Sequence, residues 1–220
     1  MTPPSHCSSC GRKLTPFELI PVLSWLALKG KCRTCHTRVS ILYPLVEILT
    51  SVLFILTWLH FGWTGEFFVA VFATSMFIIL SLIDHQIYRL PNKIVLLGVI
   101  VIFFVRLAIH PLGVLSYISG ALLGFLLLLI IILMSQGGMG FGDAKLFLFV
   151  GLYVGFVQTI FTLILASFLG ALVGISLRAL GRLQKRTAIP FGPYIATAAI
   201  VIHLYGSPFI TWYVRLLSFH

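Results

Sequence analysis

Acidic residues are almost absent from this sequence. Of 220 residues only five are Asp or Glu, against fifteen Lys or Arg, and charged residues of both signs make up 9%. A soluble globular domain carries about a quarter, so a fully water-facing surface is excluded. With 60% hydrophobic residues, the chain reads as a polytopic membrane protein. Cysteine is absent after position 35, so no disulfide framework staples the apolar part. A sustained apolar core is missing from the first forty residues, where Cys, Arg and Lys gather. No early signal peptide is visible there, and residues 1–40 are expected to form a small retained domain.

What is abundant is apolar sequence in blocks: 41–61, 66–83, 93–109, 114–134, 144–156, 157–177 and 191–216. Twenty-one helical residues span about 31 Å, close to the hydrocarbon thickness of a bilayer. The pattern predicts an all-α membrane bundle of about seven crossings over residues 41–220. Within 144–177, Gly151, Gly155 and Gln158 must accommodate either a tight turn between two helices or one long kinked helix.

The net charge of +10 invites a nucleic-acid reading, but its distribution argues otherwise. With the amino terminus in the cytoplasm, Arg12, Lys13, Lys29, Lys31, Arg33 and Arg38 lie inside, as do Arg89, Lys93, Lys145, Arg178, Arg182, Lys185 and Arg186. Only Arg106 and Arg215 fall near the outer face, which is the asymmetry of a membrane protein so oriented. The run "RALGRLQKR" then serves as an orientation signal meeting anionic lipid, and no nucleic-acid partner is expected.

The scarcity of acids makes each one informative. An ionised side chain at membrane depth costs about 3 kcal/mol or more. The two aspartates are Asp84, in "LSLIDHQIYRLPN", and Asp143, in "GGMGFGDAKL". In the topology above both come out at cytoplasmic ends of crossings. Two carboxylates sharing a site do not both ionise cheaply, so one keeps a proton as acid while the other acts as base on a water. This is aspartyl protease chemistry. Gly140 and Gly142 flank Phe141 ahead of Asp143, offering backbone conformations closed to other residues and a close approach for a substrate strand. The structural alternative is that Asp84 anchors a helix end and Asp143 caps the next helix. Glu66 is expected to be solvated in an outer loop and Glu18 to lie at a surface. Glu47, inside the first crossing at "YPLVEIL", requires a partner: a basic or hydroxyl side chain, or a functional site near the cytoplasmic surface.

All four cysteines form two CxxC motifs, Cys7 with Cys10 and Cys32 with Cys35. Each knuckle presents two thiolates to one tetrahedral ion, the pattern of a structural zinc site. In the reducing cytoplasm such a set does not form disulfides. His6 and His36 adjoin a completed sulfur shell and are expected to be bystanders. His60, His110, His203 and His220 are expected at interfaces or in packing. So small a domain draws much of its folding energy from the metal.

Taken in order, the paired CxxC motifs, "ELIPVLSWLALKGKCRTC", "YPLVE", Asp84 with "LPN", "GFGD" and "IPFGPY" resemble the type IV prepilin peptidases. These are the bifunctional leader peptidases and N-methyltransferases of pilus, type II secretion and competence systems. The resemblance covers nearly the whole chain. It implies that Asp84 and Asp143 are the catalytic pair, with Gly140, Phe141 and Gly142 as the catalytic loop. It implies a prepilin or pseudopilin substrate whose short basic leader is cut after a glycine at the cytoplasmic face of the bacterial inner membrane. It also implies S-adenosylmethionine-dependent methylation of the new amino terminus, with Glu47 at the position of a family acid tied to that activity. No S-adenosylmethionine motif is readable. Relatives usually carry an apolar segment ahead of the cysteine domain, whereas six residues precede Cys7 here. Two other classes compete: a transporter with a zinc-sensing domain, which would need more polar residues at mid-membrane, and a noncatalytic assembly factor, against which the intact acid pair speaks. Oligomeric state is not legible.

Overall fold

The computed structural model describes residues 5–135, 140–181 and 190–218, the last of these largely by backbone alone beyond Gly206. Arg182, Lys185, Arg186 and Ile189 lie outside the described residues, as do Gly137, Gly138, Met139 and His220, and the side chain of Arg215 is not described. The described residues form helices with no strand, and the chain divides into two compact units, Met1–Leu56 and Thr57–His220.

The first unit holds two knuckles of matching design. In one, the Cys7 N–H donates to the Arg12 carbonyl and the Gly11 N–H to the Cys7 carbonyl; in the other, Cys32 pairs with Thr37 and His36 in the same way. Both turns need a residue with positive φ directly after the second cysteine, Gly11 at 70° and His36 at 55°. Glycine enters that region freely and histidine less so. A short 3-10 turn, Pro16–Leu19, follows, with Pro16 at its first position. Its Glu18 carboxylate accepts from the Thr15 N–H at 2.8 Å and from Arg12 at 2.5 Å, which ties the turn to the first knuckle. Glu18, read from sequence as a surface residue, is a half-buried anchor. Helix α1 is Leu23–Ala27, and α2 is Leu42–Phe61, most of which belongs to this unit.

The second unit is built from α3 (Gly65–Ile87), α4 (Asn92–Ala108), α5 (Val114–Met134), α6 (Phe141–Val154), α7 (Phe156–Ala179) and α8 (Gly192–Ser218). Helix α6 is its centre. From Asp143 to Val154 nearly every residue is buried, as expected of a helix apolar all round. It is held by backbone-to-backbone contact with α5. A Cβ at Gly151 would run into the main chain of Gly120 and Ala121, and one at Gly120 would meet the main chain of Gly155 and Phe156. Apolar helices in lipid gain nothing from hydrophobic exclusion between themselves, so close approach at small residues drives their packing. At Gly155 the backbone takes φ 92°, ending α6 and starting α7 within one residue. Of the two sequence-based options for 144–177, the tight turn is the one observed.

Helices α2–α8 fall on the seven apolar stretches. By length and composition, four described helices can cross a membrane: α2, α3, α5 and α7. Helices α4 and α6 have 17 and 14 residues, and the described apolar part of α8, Gly192–Gly206, is short by the same measure. Length therefore supports four of the seven expected crossings.

A buried ion pair closes one end of the second unit. Arg106, in the last turn of α4, is 1% exposed and pairs with Glu66 in the first turn of α3. Its Nε donates to the Leu152 carbonyl at 3.2 Å, Nη2 to the Tyr153 carbonyl at 2.5 Å and Nη1 to the Ile109 carbonyl at 3.2 Å. The guanidinium lies 4.2 Å above the Tyr117 ring. The last carbonyls of a helix have no partner within it, and here Arg106 supplies one for α6. His203 packs at 4.2 Å on the Tyr153 ring and 5.0 Å from Phe61, with Nε2 3.6 Å from Glu66. The expectation that Glu66 is solvated is corrected: it is the partner of Arg106, which local sequence cannot reveal.

Replacing Arg106 by Leu strands Glu66 and the α6 carbonyls. It is expected to destabilise the detergent-solubilised protein by about 3–5 kcal/mol. Arg106→Lys restores charge but not the fork of donors, and should recover only part. Unfolding of Arg106→Leu at the wild-type denaturant midpoint would refute this role.

Candidate active site

Asp143 is the third residue of α6, behind Gly140 at the N-cap. The Asp143 N–H donates to the Gly140 carbonyl at 3.1 Å, closing the first turn of the helix. The first turn of a helix also favours an anion through its macrodipole. Asp84 has the opposite local setting, in the last turn of α3, where its own helix disfavours negative charge. Its compensation comes from another element: the Gly192 N–H, at the start of α8, donates to Asp84 Oδ2 at 2.9 Å.

The two carboxylates line one cavity of about 640 Å³ and are 5% and 8% exposed, Asp84 and Asp143 respectively. Asp143 lies within electrostatic reach of Asp84. The cavity is walled by the turn after α3, the start of α6 and the segment entering α8, through Tyr88, Leu90, Gly140, Phe141, Gly142, Pro190 and Phe191. Tyr88 stops α3 in the left-handed conformation, φ 53°, with its N–H on the Asp84 carbonyl at 2.9 Å. The chain then turns back so that Leu90 lies on Gly142. Lys145 Nζ donates to Asn92 Oδ1 at 2.9 Å and sits 4.9 Å from the Phe141 ring centre. That contact joins the first turns of α4 and α6 at the cavity mouth.

The glycines of the GxGD stretch act differently from the sequence-based reading. Gly140 is extended, φ −79° and ψ 140°, and Gly142 lies within α6 without positive φ. Neither adopts a conformation closed to other residues. What Gly142 supplies is room, since a Cβ there would stand 3.1 Å from Leu90 Cβ.

In the first unit the sulfur atoms of Cys7, Cys10, Cys32 and Cys35 all lie within 4.8 Å of one another, with Cys7 Sγ 3.8 Å from Cys35 Sγ. A tetrahedral ion with bonds of about 2.3 Å to sulfur requires edges of about 3.8 Å. The four cysteines are free thiols in an arrangement that can hold one metal ion. Hydrogen bonds from the backbone N–H groups of Cys35 and Thr34 hold the Cys32 thiol down to about 6, toward the thiolate that metals bind. Arg12, and then the Thr15 N–H, lower Glu18 to about 2. The bond from Arg12 that Glu18 anchors is thus at full strength above the ordinary carboxylate range and fades only as pH falls from about 4.5 toward 2. His6 and His36 are not members of the sulfur cluster.

Glu47 has neither of the partners expected of it. Its Oε2 accepts the backbone N–H of Val22 at 2.7 Å. Val22 is the centre of a γ-turn, φ 61° and ψ −51°, closed by the Leu23 N–H on the Pro21 carbonyl. A β-branched residue is strained there. The carboxylate pins that strained turn and faces a cavity of about 470 Å³ walled also by Arg12, Trp25, Arg38 and Tyr43.

The amino-terminal residues 1–61 match the Bacterial Peptidase A24 N-terminal domain, and residues 71–175 match the Type IV leader peptidase family. A prepilin leader peptidase/N-methyltransferase of Bacillus subtilis (strain 168) is 38% identical over 217 residues, which cover 98% of this chain and 87% of the relative. The chain belongs to the type IV leader peptidase family. Proteins of the same description from Pseudomonas putida, 38% identical over 99% of this chain and 77% of the relative, and from Aeromonas salmonicida (strain A449), 35% identical over 99% and 76%, are also similar. No solved structure matches. As a leader peptidase of this family, the chain presents two buried aspartates in one cavity. Sequence reasoning named both but missed Leu90, Asn92 with Lys145, and the bond from Gly192. The motifs "LPN" and "IPFGPY" marked these places without showing whom they touch.

Gly142→Val places two methyl groups against Leu90 and should remove most peptidase turnover while the protein still inserts in the membrane. Gly142→Ala, with a single tight contact, should lose less. Wild-type turnover by the valine variant would refute the steric role of this glycine.

Proposed function

We propose that this protein is an aspartyl endopeptidase of the bacterial inner membrane that removes the short basic leader of a type IV prepilin or pseudopilin at the cytoplasmic face. The observation that carries the reading is the pair of buried carboxylates, Asp84 and Asp143, lining one cavity. One carboxylate takes a proton from a water, whose oxygen attacks the scissile carbonyl. The other, protonated, gives its proton to the departing amine as the peptide bond breaks. Burial keeps bulk water from competing, and the backbone N–H of Gly192 holds the Asp84 carboxylate in place. The basic residues ahead of α2 support an amino terminus on the cytoplasmic side. Residues 1–40 serve as the metal domain and 41–220 as the peptidase.

The metal in this reading is zinc, held by Cys7, Cys10, Cys32 and Cys35 in a structural role. S-adenosylmethionine is the second cofactor, and it supplies a methyl group to the amine freed by cleavage. The cavity beside Glu47 fits such a donor: its volume falls within the roughly 300–1,000 Å³ of small-molecule sites. Its lining offers Trp25 and Tyr43 for a base, Arg12 and Arg38 for a carboxylate, and Glu47 for positive charge.

Asp84→Asn and Asp143→Asn should each abolish cleavage of a purified prepilin while insertion and metal content stay unchanged. Substantial turnover by either variant removes that residue from the chemistry. Following incorporation of a labelled methyl group in the same reactions tests the second activity separately.

One zinc per chain is expected by elemental analysis, and a Cys32→Ser, Cys35→Ser double variant should lose it. Cleavage should fall only in part, because acid–base chemistry needs no Lewis acid, and methylation should fall further. A folded, zinc-free double variant as inactive as Asp143→Asn would place the metal in the peptidase chemistry instead.

A further inference from the structure

We infer that Gly192 is a positioning residue for peptide cleavage: its N–H holds one oxygen of Asp84, and its missing side chain leaves the space that carboxylate occupies. The inference rests on the peptidase reading above. Three observations carry it. Gly192 opens α8, and the turn is closed onto the Phe191 carbonyl by the N–H groups of Tyr194 and Ile195, both at 3.1 Å. The Gly192 N–H is therefore one of the donors that a helix start leaves unpaired, and it is spent on Asp84 Oδ2 at 2.9 Å in a buried setting. Finally, a Cβ on Gly192 would lie 2.7 Å from Asp84 Oδ2 and 3.2 Å from both its Cβ and Cγ. Real Cβ atoms do not approach so closely, so any other residue displaces either the carboxylate or α8.

Residue 193 is proline, which has no N–H and whose fixed φ suits a first helical turn. Gly192 is thus left as the first donor of α8, aimed at Asp84. With Oδ2 engaged, Oδ1 is the oxygen left to face water and substrate. Asp84 needs this help because it sits at the unfavourable end of its own helix, whereas Asp143 sits at the favourable end of its own. Asp84 is thereby oriented by a main-chain donor 108 positions away in sequence.

The test uses the purified full-length protein and a prepilin substrate. Gly192→Ala should lower kcat about 100-fold, the cost of misplacing a reacting group by about an ångström, while KM stays within about twofold of wild type. Gly170→Ala is the packing control. Its Cβ meets the Phe191 and Tyr194 rings at 3.4 and 3.5 Å, ordinary contacts on the same first turn that do not reach Asp84, and it should keep kcat within about twofold. Should Gly192→Ala fail to fold, Pro193→Gly loosens the same turn without adding a heavy atom and should lower kcat severalfold at unchanged KM. A Gly192→Ala enzyme with wild-type kcat, equal losses in Gly192→Ala and Gly170→Ala, or a Pro193→Gly enzyme with unchanged kcat would each overturn the inference. Absence of cleavage by the wild type, or persistence of cleavage in Asp84→Asn, would instead overturn the peptidase reading itself.

Discussion

Main-chain contact between α5 and α6 is the constraint from which the second unit follows. Gly120, Gly124 and Gly151 let the two backbones approach until Gly151 abuts Gly120 and Ala121 and Gly124 stands against the Phe147 carbonyl. Dispersion between closely packed atoms does in an apolar setting what water exclusion does in a soluble core. With α6 fixed in this way, Asp143 has a defined height and direction at its first turn, and Gly155 sends the chain back as α7.

The charges of the second unit then sort themselves by helix end. At one end Arg106 and Glu66 neutralise each other while Arg106 takes up the last carbonyls of α6. At the other end stand Asp84, tied to the Gly192 N–H, and Asp143, in the first turn of α6. Along α3, about 27 Å of helix separates Glu66 from Asp84 at 1.5 Å per residue, close to the roughly 30 Å of a bilayer interior. The stretch between is apolar but for hydroxyl groups such as Ser75, bonded to its own helix at the Val71 carbonyl.

How much of this was legible depended on the range of the interaction involved. The apolar stretches, both aspartates and the cysteine knuckles are local patterns, read directly from spacing. Partners far apart in the chain were not. The bond from Gly192 to Asp84 spans 108 positions and that from Arg106 to Glu66 spans 40; nothing near either residue hints at the other. The glycines before Asp143 were given a conformational reason that their backbone angles do not bear out, because sequence shows that a side chain is missing but not what backbone or neighbour goes with it. Glu47 was rightly said to need a partner, yet a backbone N–H released by a strained turn leaves no compositional mark.

The two knuckles of the first unit share one hydrogen-bond pattern, each contributing half of a four-sulfur cluster. Neither half encloses an ion alone, and both precede Leu42 in the chain. Cys35 leaves the ribosome before Leu42 does, so both halves of the cluster are available to each other before α2 is complete. The order of synthesis thus lets the two knuckles close on each other as an event local to the first unit.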